Sequence, residues 1–493
     1  QKKKKTLRFH FITELTLGLV VSYTKPEKNI LGRGRTMSAM AARAACKLLR
    51  GTNFVLRREI HSKTPTIDPG IAKQLSKRSM VIEAQAKSAE TRLLQQLRSR
   101  ILATGPITVA EYMKEVLTNP MSGYYMHRDV FGSSGDFTTS PEISQMFGEL
   151  VAVWFLNEWV KAGKPKPLYI VELGPGRGTL SDDMLRVFSK YSDAMEVVSL
   201  HLVEISPHLS QVQELKLCGT VSVVKDVLDH SPVTLRLPVK SDSEEVTYKQ
   251  SITKHGVPVG WYRHLHDVPR GFSCFVAHEF LDALPVHKFQ RTPEGWREVF
   301  IDLDDGPGPH HLRYVLSRGP TPASFFADVV GEKRDHVEVC PEAGVIAQEL
   351  ASRMHEHGGC GLVVDYGHDG TKTDTFRAFK NHTLHPVLSE PGTADLTADV
   401  DFSYLKRILA GKALTFGPVT QEQFLKNMGI NIRLQKLLDN CQDADLRQEL
   451  LSGYDMLTNP EKMGERFKFF GVFPLDMQGP LETHPPAGFF APS

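Results

Sequence analysis

The chain has 493 residues, of which 41% are hydrophobic, 9% aromatic and 24% charged. This balance is typical of a globular protein, and it excludes the collagen-like, intrinsically disordered and disulfide-scaffold classes. The six cysteines lie far apart and form no CxxC pair, which argues against a zinc ribbon and suits a reducing compartment. No apolar run reaches the ~18 residues that a transmembrane helix needs, so we expect no membrane span.

The net charge of +2 is the sum of two unlike parts of the chain. Residues 1–58 contain 14 Lys and Arg but only two acids, Glu14 and Glu27. The remaining residues contain 45 Lys and Arg against 55 Asp and Glu, a balance of −10. Nucleic-acid binding needs a basic surface, so this acidic part argues against a nucleic-acid partner and favours a cationic one.

The first 62 residues read as sequence that precedes the folded protein. Residues 1–36 begin with a basic and apolar run like a secretory signal, but Glu14 interrupts it. We interpret 1–36 as non-native or untranslated upstream sequence. Residues 37–62 are rich in Arg, Ala, Ser and Leu, and no acid occurs from Ser38 to Arg58. That composition is typical of a mitochondrial transit peptide, and a solvated basic tail is the alternative.

Apolar residues at helical spacing predict two helices before the first strand, and the segment that follows Gly105-Pro106 reads as a short helix and loops. Leu93, Leu97 and Ile101 mark one helix within residues 88–103. A stronger helix is predicted to begin at Ser140, a suitable N-cap with proline next to it. The apolar segments that predict buried strands are 168–173, 199–206, 221–227, 272–280 and 360–367. Strands that alternate with helices predict an α/β fold with a mostly parallel sheet covered on both faces.

A glycine-rich turn follows the first of these strands. It contains Gly174, Gly176 and Gly178, and such turns bring the backbone close to a ligand at a helix N-terminus. The turn lacks the Gly-Lys-Ser/Thr ending of a phosphate-binding P-loop, and its third glycine comes one place too early for a dinucleotide motif. Glu172 would repel a pyrophosphate but suits the cationic S-adenosylmethionine, and Glu204 ends the next strand, where it can bind ribose hydroxyls. A tight turn with incidental acids is the alternative.

Five longer segments resemble the MidA-like family of methyltransferases. They are GDFTTSPEISQMFGEL (135–150), VELGPGRGTL (171–180), HEFLDALPVHKFQ (278–290), VVDYGHDGTKTDTFR (363–377) and GTADLTADVDFSYL (392–405). The turn itself is similar to motif I of class I methyltransferases. The resemblance implies a seven-stranded, Rossmann-like core with helical N- and C-terminal additions, and S-adenosyl-L-methionine as cofactor. The mitochondrial branch of the family implies a protein arginine N-methyltransferase of the mitochondrial matrix, which acts on a core subunit of respiratory complex I during assembly.

The predicted domain organisation combines these observations. After the segments 1–36 and 37–62, it has an N-terminal helical and lid segment in 88–160, a cofactor-binding core in 161–402 with an insertion in 229–270, a helical C-terminal part in 403–470 and a loose tail in 471–493.

Acids at the carboxyl ends of two strands are the candidates for the transfer chemistry. Arginine is always protonated at neutral pH, so its methylation needs carboxylates that orient the guanidinium. Glu279 is the first candidate and Asp282 the second, while His278 or His368 could carry away the proton. Each has a structural alternative: Asp282 in a turn, Glu279 paired with an arginine, and His278 in the core. A zinc HExxH site is excluded because position 282 is not histidine.

Two further acidic segments each have a functional interpretation and a structural alternative. The polar loop 135–142, which contains Asp136, is predicted to form a lid over the cofactor, with an ordinary capped loop as the alternative. Asp395, Asp399 and Asp401 either contact a basic substrate segment or form a solvated face.

Two other functions remain open. A cofactor-binding assembly chaperone of complex I without turnover would keep the same turn. A nucleotide-dependent oxidoreductase would use a similar fold, but Glu172 and the glycine spacing argue against it.

Overall fold

The computed structural model describes residues 90–127, 138–220, 247–306 and 311–490. The interpretations of 1–36 and 37–62, the strand in 221–227 and the lid residue Asp136 lie outside these residues.

Thirteen α-helices occur in the described part of the chain. They are α1 Arg92–Thr104, α2 Val109–Thr118, α3 Ser140–Ile143, α4 Gln145–Lys161, α5 Thr179–Phe188, α6 Ser192–Met195, α7 Pro207–Cys218, α8 Pro341–His357, α9 Phe402–Leu409, α10 Gln421–Asn427, α11 Ile430–Asp439, α12 Ala444–Thr458 and α13 Gln478–Thr483.

Seventeen strands occur in the same residues. They are β1 Ile107–Thr108, β2 Leu168–Leu173, β3 Val198–Val203, β4 Lys249–Ile252, β5 Pro258–Tyr262, β6 Phe272–His278, β7 His287–Thr292, β8 Gly295–Leu303, β9 Leu312–Leu316, β10 His336–Val339, β11 Gly359–His368, β12 Arg377–Lys380, β13 Thr383–His385, β14 Asp395–Thr397, β15 Val400–Asp401, β16 Leu414–Thr420 and β17 Phe467–Phe473.

A nine-stranded sheet forms the centre of the described structure. Its order is β16-β17-β11-β6-β2-β3-β5-β4, and β15 pairs with the end of β11. The strands from β11 to β5 run parallel, whereas β17 is antiparallel to both of its neighbours. The carboxyl ends of the parallel strands therefore share one edge, where ligands bind in open α/β sheets. The predicted α/β class is confirmed, and the sheet has nine strands where the sequence predicts a seven-stranded core.

Strand β6 shows why helices cover both faces of this sheet. All of its residues are buried. Because side chains alternate along a strand, Cys274 and Val276 pack into the core beside α4, and Phe275 and Ala277 pack into the core beside α8. A strand that is buried on both faces is apolar throughout, which explains the continuous run in the sequence.

The N-terminal segment is only partly helical. Helices α1 and α2 form as expected, and Thr108 and Glu111 make a reciprocal capping box at the start of α2. However, β1 pairs with β8 in a second, antiparallel sheet of five strands. Ile107 and Ile301 share a third hydrophobic cluster with the two helices, so the start of the segment is anchored by strand pairing as well as by helix packing.

The helix predicted from Ser140 is interrupted. Thr139 precedes the short helix α3, and Ser144 then adopts an extended backbone with φ −157° and ψ 131°. The long helix α4 begins only at Gln145, where the Ser144 hydroxyl accepts a hydrogen bond from the Met146 N–H at 3.3 Å. Serine favours N-caps because its hydroxyl replaces a missing backbone acceptor. A second capping residue four positions along therefore divides the helix.

The C-terminal region differs from both predictions made for it. Segment 403–470, expected to be helical, contributes β16 and the first part of β17 to the central sheet. The tail 471–493, expected to be loose, completes β17 and then packs against α4: the Trp154 indole N–H donates to the Ala487 carbonyl at 3.0 Å. β17 is buried along nearly its whole length and carries no period-two signal that would distinguish it from a helix. β16 is a half-buried strand at the edge of the sheet and contains Gly417 and Pro418.

The part of the predicted insertion 229–270 that the structure describes contributes two strands to the central sheet. β4 and β5 form an antiparallel pair, and β5 is the parallel neighbour of β3. Residues 258–262 are thus part of the core. None of the described helices has the length and hydropathy required to span a bilayer.

Candidate active site

The glycine turn lies at the carboxyl end of β2, as the sequence predicts. Gly174, Gly176 and Gly178 have φ angles of 63°, 53° and 80°, and α5 begins at Thr179. This left-handed backbone is costly for residues that carry a Cβ. At Gly174 a Cβ would also lie 2.6 Å from the Phe280 ring, so this position has room for glycine alone.

Glu172 is buried directly before the turn. The Ser181 hydroxyl donates a hydrogen bond to its carboxylate, and burial raises the pKa of Glu172 to about 8. The residue lines a small cavity of about 40 Å³ together with Gly174, His278 and Glu279. A buried carboxyl with a raised pKa gains from a neighbouring cation, which fits the preference inferred from the sequence.

Glu204 follows β3 and is held by fixed partners. Its carboxylate accepts from the Ser206 N–H at 2.7 Å and from the Gln213 side-chain amide at 2.9 Å. Burial raises the pKa of Glu204 to about 7. The same Gln213 amide donates to the Gly176 carbonyl at 2.8 Å, and therefore ties the acid to the glycine turn.

Gln213 is a site residue that the sequence reasoning missed. It lies between Leu209 and Leu217 at i, i+4 and i+8 on α7, and all three are buried. A polar residue at a core-facing helical position is the signal that could have identified it, because buried amides need partners.

One large cavity joins the predicted cofactor and acceptor residues. Its volume is about 910 Å³, and its wall includes Gly174, Gly176 and Glu204 as well as Glu279 and Asp282. These residues follow three adjacent parallel strands, β2, β3 and β6. Sheet topology thus brings them to one edge although they are far apart in sequence.

Glu279 presents an unpartnered carboxylate oxygen. The residue has a left-handed φ of 48°, and its N–H donates to the Val364 carbonyl at 2.9 Å. Its buried Oε1 atom has no hydrogen-bond partner among the described residues. Burial, with the nearby charges of Asp282 and Asp395, raises the pKa of Glu279 well above its ordinary value. A buried acceptor without a partner is expensive in free energy, which indicates that the site is completed by a donor.

Asp282 is buried at the same wall. The Thr397 hydroxyl donates to its carboxylate at 2.7 Å, and burial raises its pKa while Arg377 opposes that rise. The backbone N–H groups of the turn at 280–282 bond mainly to a different acid, Asp365. The turn-satisfying role considered for Asp282 therefore belongs chiefly to Asp365.

The two candidate histidines have different surroundings. His278 is buried between the Phe147 and Phe467 rings, with Nε2 3.4 Å from Glu279 Oε1. Burial lowers the pKa of His278 to about 3, so its imidazole is neutral at physiological pH. His368 accepts from the N–H of Thr371 at 3.2 Å and is not part of either cavity wall. Only His278 is brought next to the acceptor carboxylates.

The three aspartates of the later motif separate in space. Asp395 lines the cavity and accepts from the Tyr125 hydroxyl at 2.7 Å. Asp399 also lines it, but Arg377 and Lys372 neutralise it at 2.7 Å each. Asp401 caps α9 and pairs with an arginine outside the cavity wall. Asp401 is thus structural, while Asp399, paired with Arg377 and Lys372, and Asp395, bonded to Tyr125, both lie in the cavity wall.

Arg377 is the second site residue that the sequence reasoning did not single out. Its guanidinium lies in the cavity wall, 5.7 Å from the centre of the Tyr366 ring. No local sequence pattern identifies Arg377, because its position in the cavity wall depends on the tertiary fold. Within the described part of the chain, no three His, Cys, Asp or Glu side chains are grouped to hold a metal ion.

Comparisons with known proteins agree with this geometry. The profile of a family described as S-adenosyl-L-methionine-dependent methyltransferases matches residues 150–419. Relatives named protein arginine methyltransferase NDUFAF7, mitochondrial, from Rattus norvegicus and Homo sapiens are 55% and 54% identical, over 78% and 79% of this chain and 85% of each relative. A homolog of that name from Drosophila melanogaster is 47% identical over 86% of this chain and 93% of its own length.

A solved structure supports the fold. A methyltransferase superfamily member from Burkholderia thailandensis, bound to S-adenosyl-homocysteine, aligns with a TM-score of 0.63 and 23% identity over 79% of this chain and 93% of that chain. The family profile covers more than half of the present sequence, and the relatives are similar over most of their length. The chain therefore belongs to the family of S-adenosyl-L-methionine-dependent methyltransferases.

Proposed function

We propose that this protein is a protein arginine N-methyltransferase of the mitochondrial matrix, and that its substrate is an arginine of a core subunit of respiratory complex I during assembly. The observation that carries the proposal is a cavity whose wall contains Gly174, Glu204 and Glu279, together with the buried Glu279 Oε1 atom that has no hydrogen-bond partner among the described residues. Seven of the nine central strands, from β5 through β16, are our candidate for the seven-stranded methyltransferase core.

The residues at one end of the cavity fit S-adenosyl-L-methionine. Gly174 and Gly176 leave the backbone accessible, and Glu204 has carboxylate lone pairs for ribose hydroxyls. Glu172 supplies a buried acid next to the turn, and we keep Asp136 as a further candidate on the lid side. When bound, the cofactor supplies an electrophilic methyl group. The chain's own contribution is to hold that group at the end of the cavity that the acceptor enters.

The residues at the other end fit a guanidinium. Glu279 can accept two of its N–H groups, and Asp282 and Asp395 add negative charge within the same wall. A bound cation lowers the pKa of such buried carboxyls and so favours their ionised form. The guanidinium is thereby oriented for an in-line transfer without a covalent enzyme intermediate.

Proton removal is better matched to Glu279 than to His278. The pKa of His278 is lowered to about 3 by burial, which makes the imidazole a weak base. Burial raises the pKa of Glu279 well above its ordinary value, so its carboxylate is a stronger base than an ordinary glutamate. We therefore assign two roles to Glu279: it orients the acceptor guanidinium and it removes the proton. Asp282 assists in the orientation, and His278 is a neutral neighbour.

The compartment and the substrate follow from the relatives together with the sequence. The curated relatives are named mitochondrial protein arginine methyltransferases, and residues 37–62 have transit-peptide composition. The complex I subunit and the matrix rest on the resemblance of the sequence motifs. The acidic balance of residues 59–493 suits a cationic substrate segment.

The test is a transfer assay with labelled S-adenosyl-L-methionine. Residues 59–493 are incubated with matrix proteins from cells that lack this protein, and labelled residues are identified by mass spectrometry. We expect label on arginine of a complex I core subunit. Glu279→Gln should reduce transfer on the order of 100-fold, because it removes the charge and the base. The exposed surface variant Glu449→Gln should match the wild type.

The same assay separates the rival functions. If the wild type binds the cofactor by calorimetry but labels nothing, the assembly-chaperone function replaces this proposal. If NADH raises the melting temperature and S-adenosyl-L-methionine does not, the oxidoreductase function replaces it. Label on a side chain other than arginine would support the proposed methyltransferase activity but contradict arginine as its acceptor.

A further inference from the structure

Asp365 is a buried acid that the chemistry above does not use. It lies on β11, beside the end of β6, and its side chain is fully buried. Its Oδ2 atom accepts from three consecutive backbone N–H groups, those of Phe280 at 3.2 Å, Leu281 at 2.9 Å and Asp282 at 3.3 Å. Its Oδ1 atom accepts from the Tyr366 N–H at 3.0 Å.

These bonds fix the turn that carries both acceptor acids. Residues 279–282 leave β6 and re-enter the cavity wall, with Glu279 at a left-handed φ of 48°. Such a backbone is strained for a residue with a Cβ, so it persists only where surrounding contacts hold it. The Asp365 carboxylate, on the neighbouring strand, supplies such contacts to the three residues that follow Glu279.

A second bond fixes the first residue of the turn. The Glu279 N–H donates to the Val364 carbonyl, so two successive residues of β11 hold four successive N–H groups of the turn. Successive N–H groups that converge on one oxygen form an anion-binding nest. In this protein the nest is occupied by the Asp365 carboxylate of the same chain.

We propose that Asp365 is a positioning residue for methyl transfer: by filling the nest at 280–282, it holds the Glu279 and Asp282 carboxylates at the spacing that clamps the acceptor guanidinium. The inference rests on the proposed function. It assigns to Asp365 no contact with substrate or cofactor, and its effect on the rate passes through Glu279.

A double-mutant cycle tests this assignment. Asp365→Ala removes the acceptor oxygens, and we expect kcat to fall on the order of 100-fold, since misplacement by about 1 Å can have that effect. In a Glu279→Gln background the same change should lower kcat by less than about threefold, because residues that act as a unit are strongly non-additive. Calorimetry with S-adenosyl-L-homocysteine should give wild-type affinity for each variant.

A conservative variant keeps the test valid if Asp365→Ala does not fold. Asp365→Asn retains one oxygen for the three N–H groups and should lose less than about fivefold in kcat. A loss as large as that of Glu279→Gln would overturn the role of the nest. Multiplicative losses in the cycle would overturn the route through Glu279. A wild type that transfers no methyl group would instead overturn the proposed function.

Discussion

At the scale of single residues, burial sets the chemistry of the acids at the sheet edge. Glu172 and Glu204 have pKa values raised to about 8 and 7 because each is taken out of water. Their identity and approximate place were predictable, since both lie at the carboxyl ends of buried strands. The neutral state of His278 and the turn-holding role of Asp365 were not predictable, because each depends on side chains or backbone brought from other strands.

Gly174→Val should weaken cofactor binding and also lower the stability of the protein. Its new Cβ would meet the Phe280 ring at 2.6 Å, next to the cavity. Overpacking costs ~1–3 kcal/mol, so we expect affinity for S-adenosyl-L-homocysteine to fall at least about tenfold in a calorimetric titration. Gly163→Val is the matched control: its φ is 86°, but its Cβ would meet nothing within 4 Å. Equal affinity loss in both variants would reject the steric argument.

At the scale of elements, the C-terminal strands show where a pattern-based prediction fails. β17 is inserted between β11 and β16, and it is apolar on both faces. Its hydrophobic run predicts burial but not the type of element. The following residues hold no periodic pattern, yet Phe489 packs against Trp154 and Phe424 with ring centres 6.3 and 5.4 Å apart. The packing of these residues therefore depends on tertiary contacts and not on a local sequence pattern.

Phe489→Ala should therefore destabilise the protein. The ring is half-buried between α4 and α10, and we expect a loss of about 2 kcal/mol, below the ~3–5 kcal/mol of fully buried phenylalanines. Urea unfolding followed by tryptophan fluorescence measures it. Phe325→Ala is the control, because that side chain is 77% exposed and its loss should stay within about 0.5 kcal/mol. Similar midpoints for both variants would show that the tail contributes little.

At the scale of the whole molecule, the cavity is assembled from distant parts of the chain. Tyr125 and Asp395 meet across 270 positions, and Leu281 and Asp365 across 84. The central sheet brings the acids together, and Thr118 and Tyr125 of the N-terminal segment contribute to the same cavity wall. The resulting concentration of buried carboxyls makes the stability of the ligand-free protein depend on pH.

We expect the free energy of unfolding to decrease between pH 6.5 and pH 8. The pKa values of Glu172, Glu204 and Asp183 are raised to about 8, 7 and 7, so the folded state binds more protons than the unfolded state in this range, and stability falls as pH rises. His201 and His278, with pKa values lowered to about 4 and 3, act in the opposite sense: their destabilising effect is lost as pH rises past about 7, which offsets part of the decrease. The decrease should be on the order of 1–2 kcal/mol.

Urea titrations of the ligand-free protein at the two pH values measure this effect. Glu172→Gln should reduce the difference, since glutamine does not titrate. Equal or greater stability of the wild type at pH 8 would contradict the prediction.

The sequence by itself determined the features that are local along the chain. Strand, glycine turn and helix around Gly174, together with the acids Glu172 and Glu204 at strand ends, follow from neighbouring residues and from the backbone freedom of glycine. Only the tertiary structure decided the unpartnered Oε1 atom of Glu279, the nest filled by Asp365 and the strand identity of Phe467–Phe473. Each of these depends on burial and on hydrogen bonds between distant segments, which no local pattern encodes.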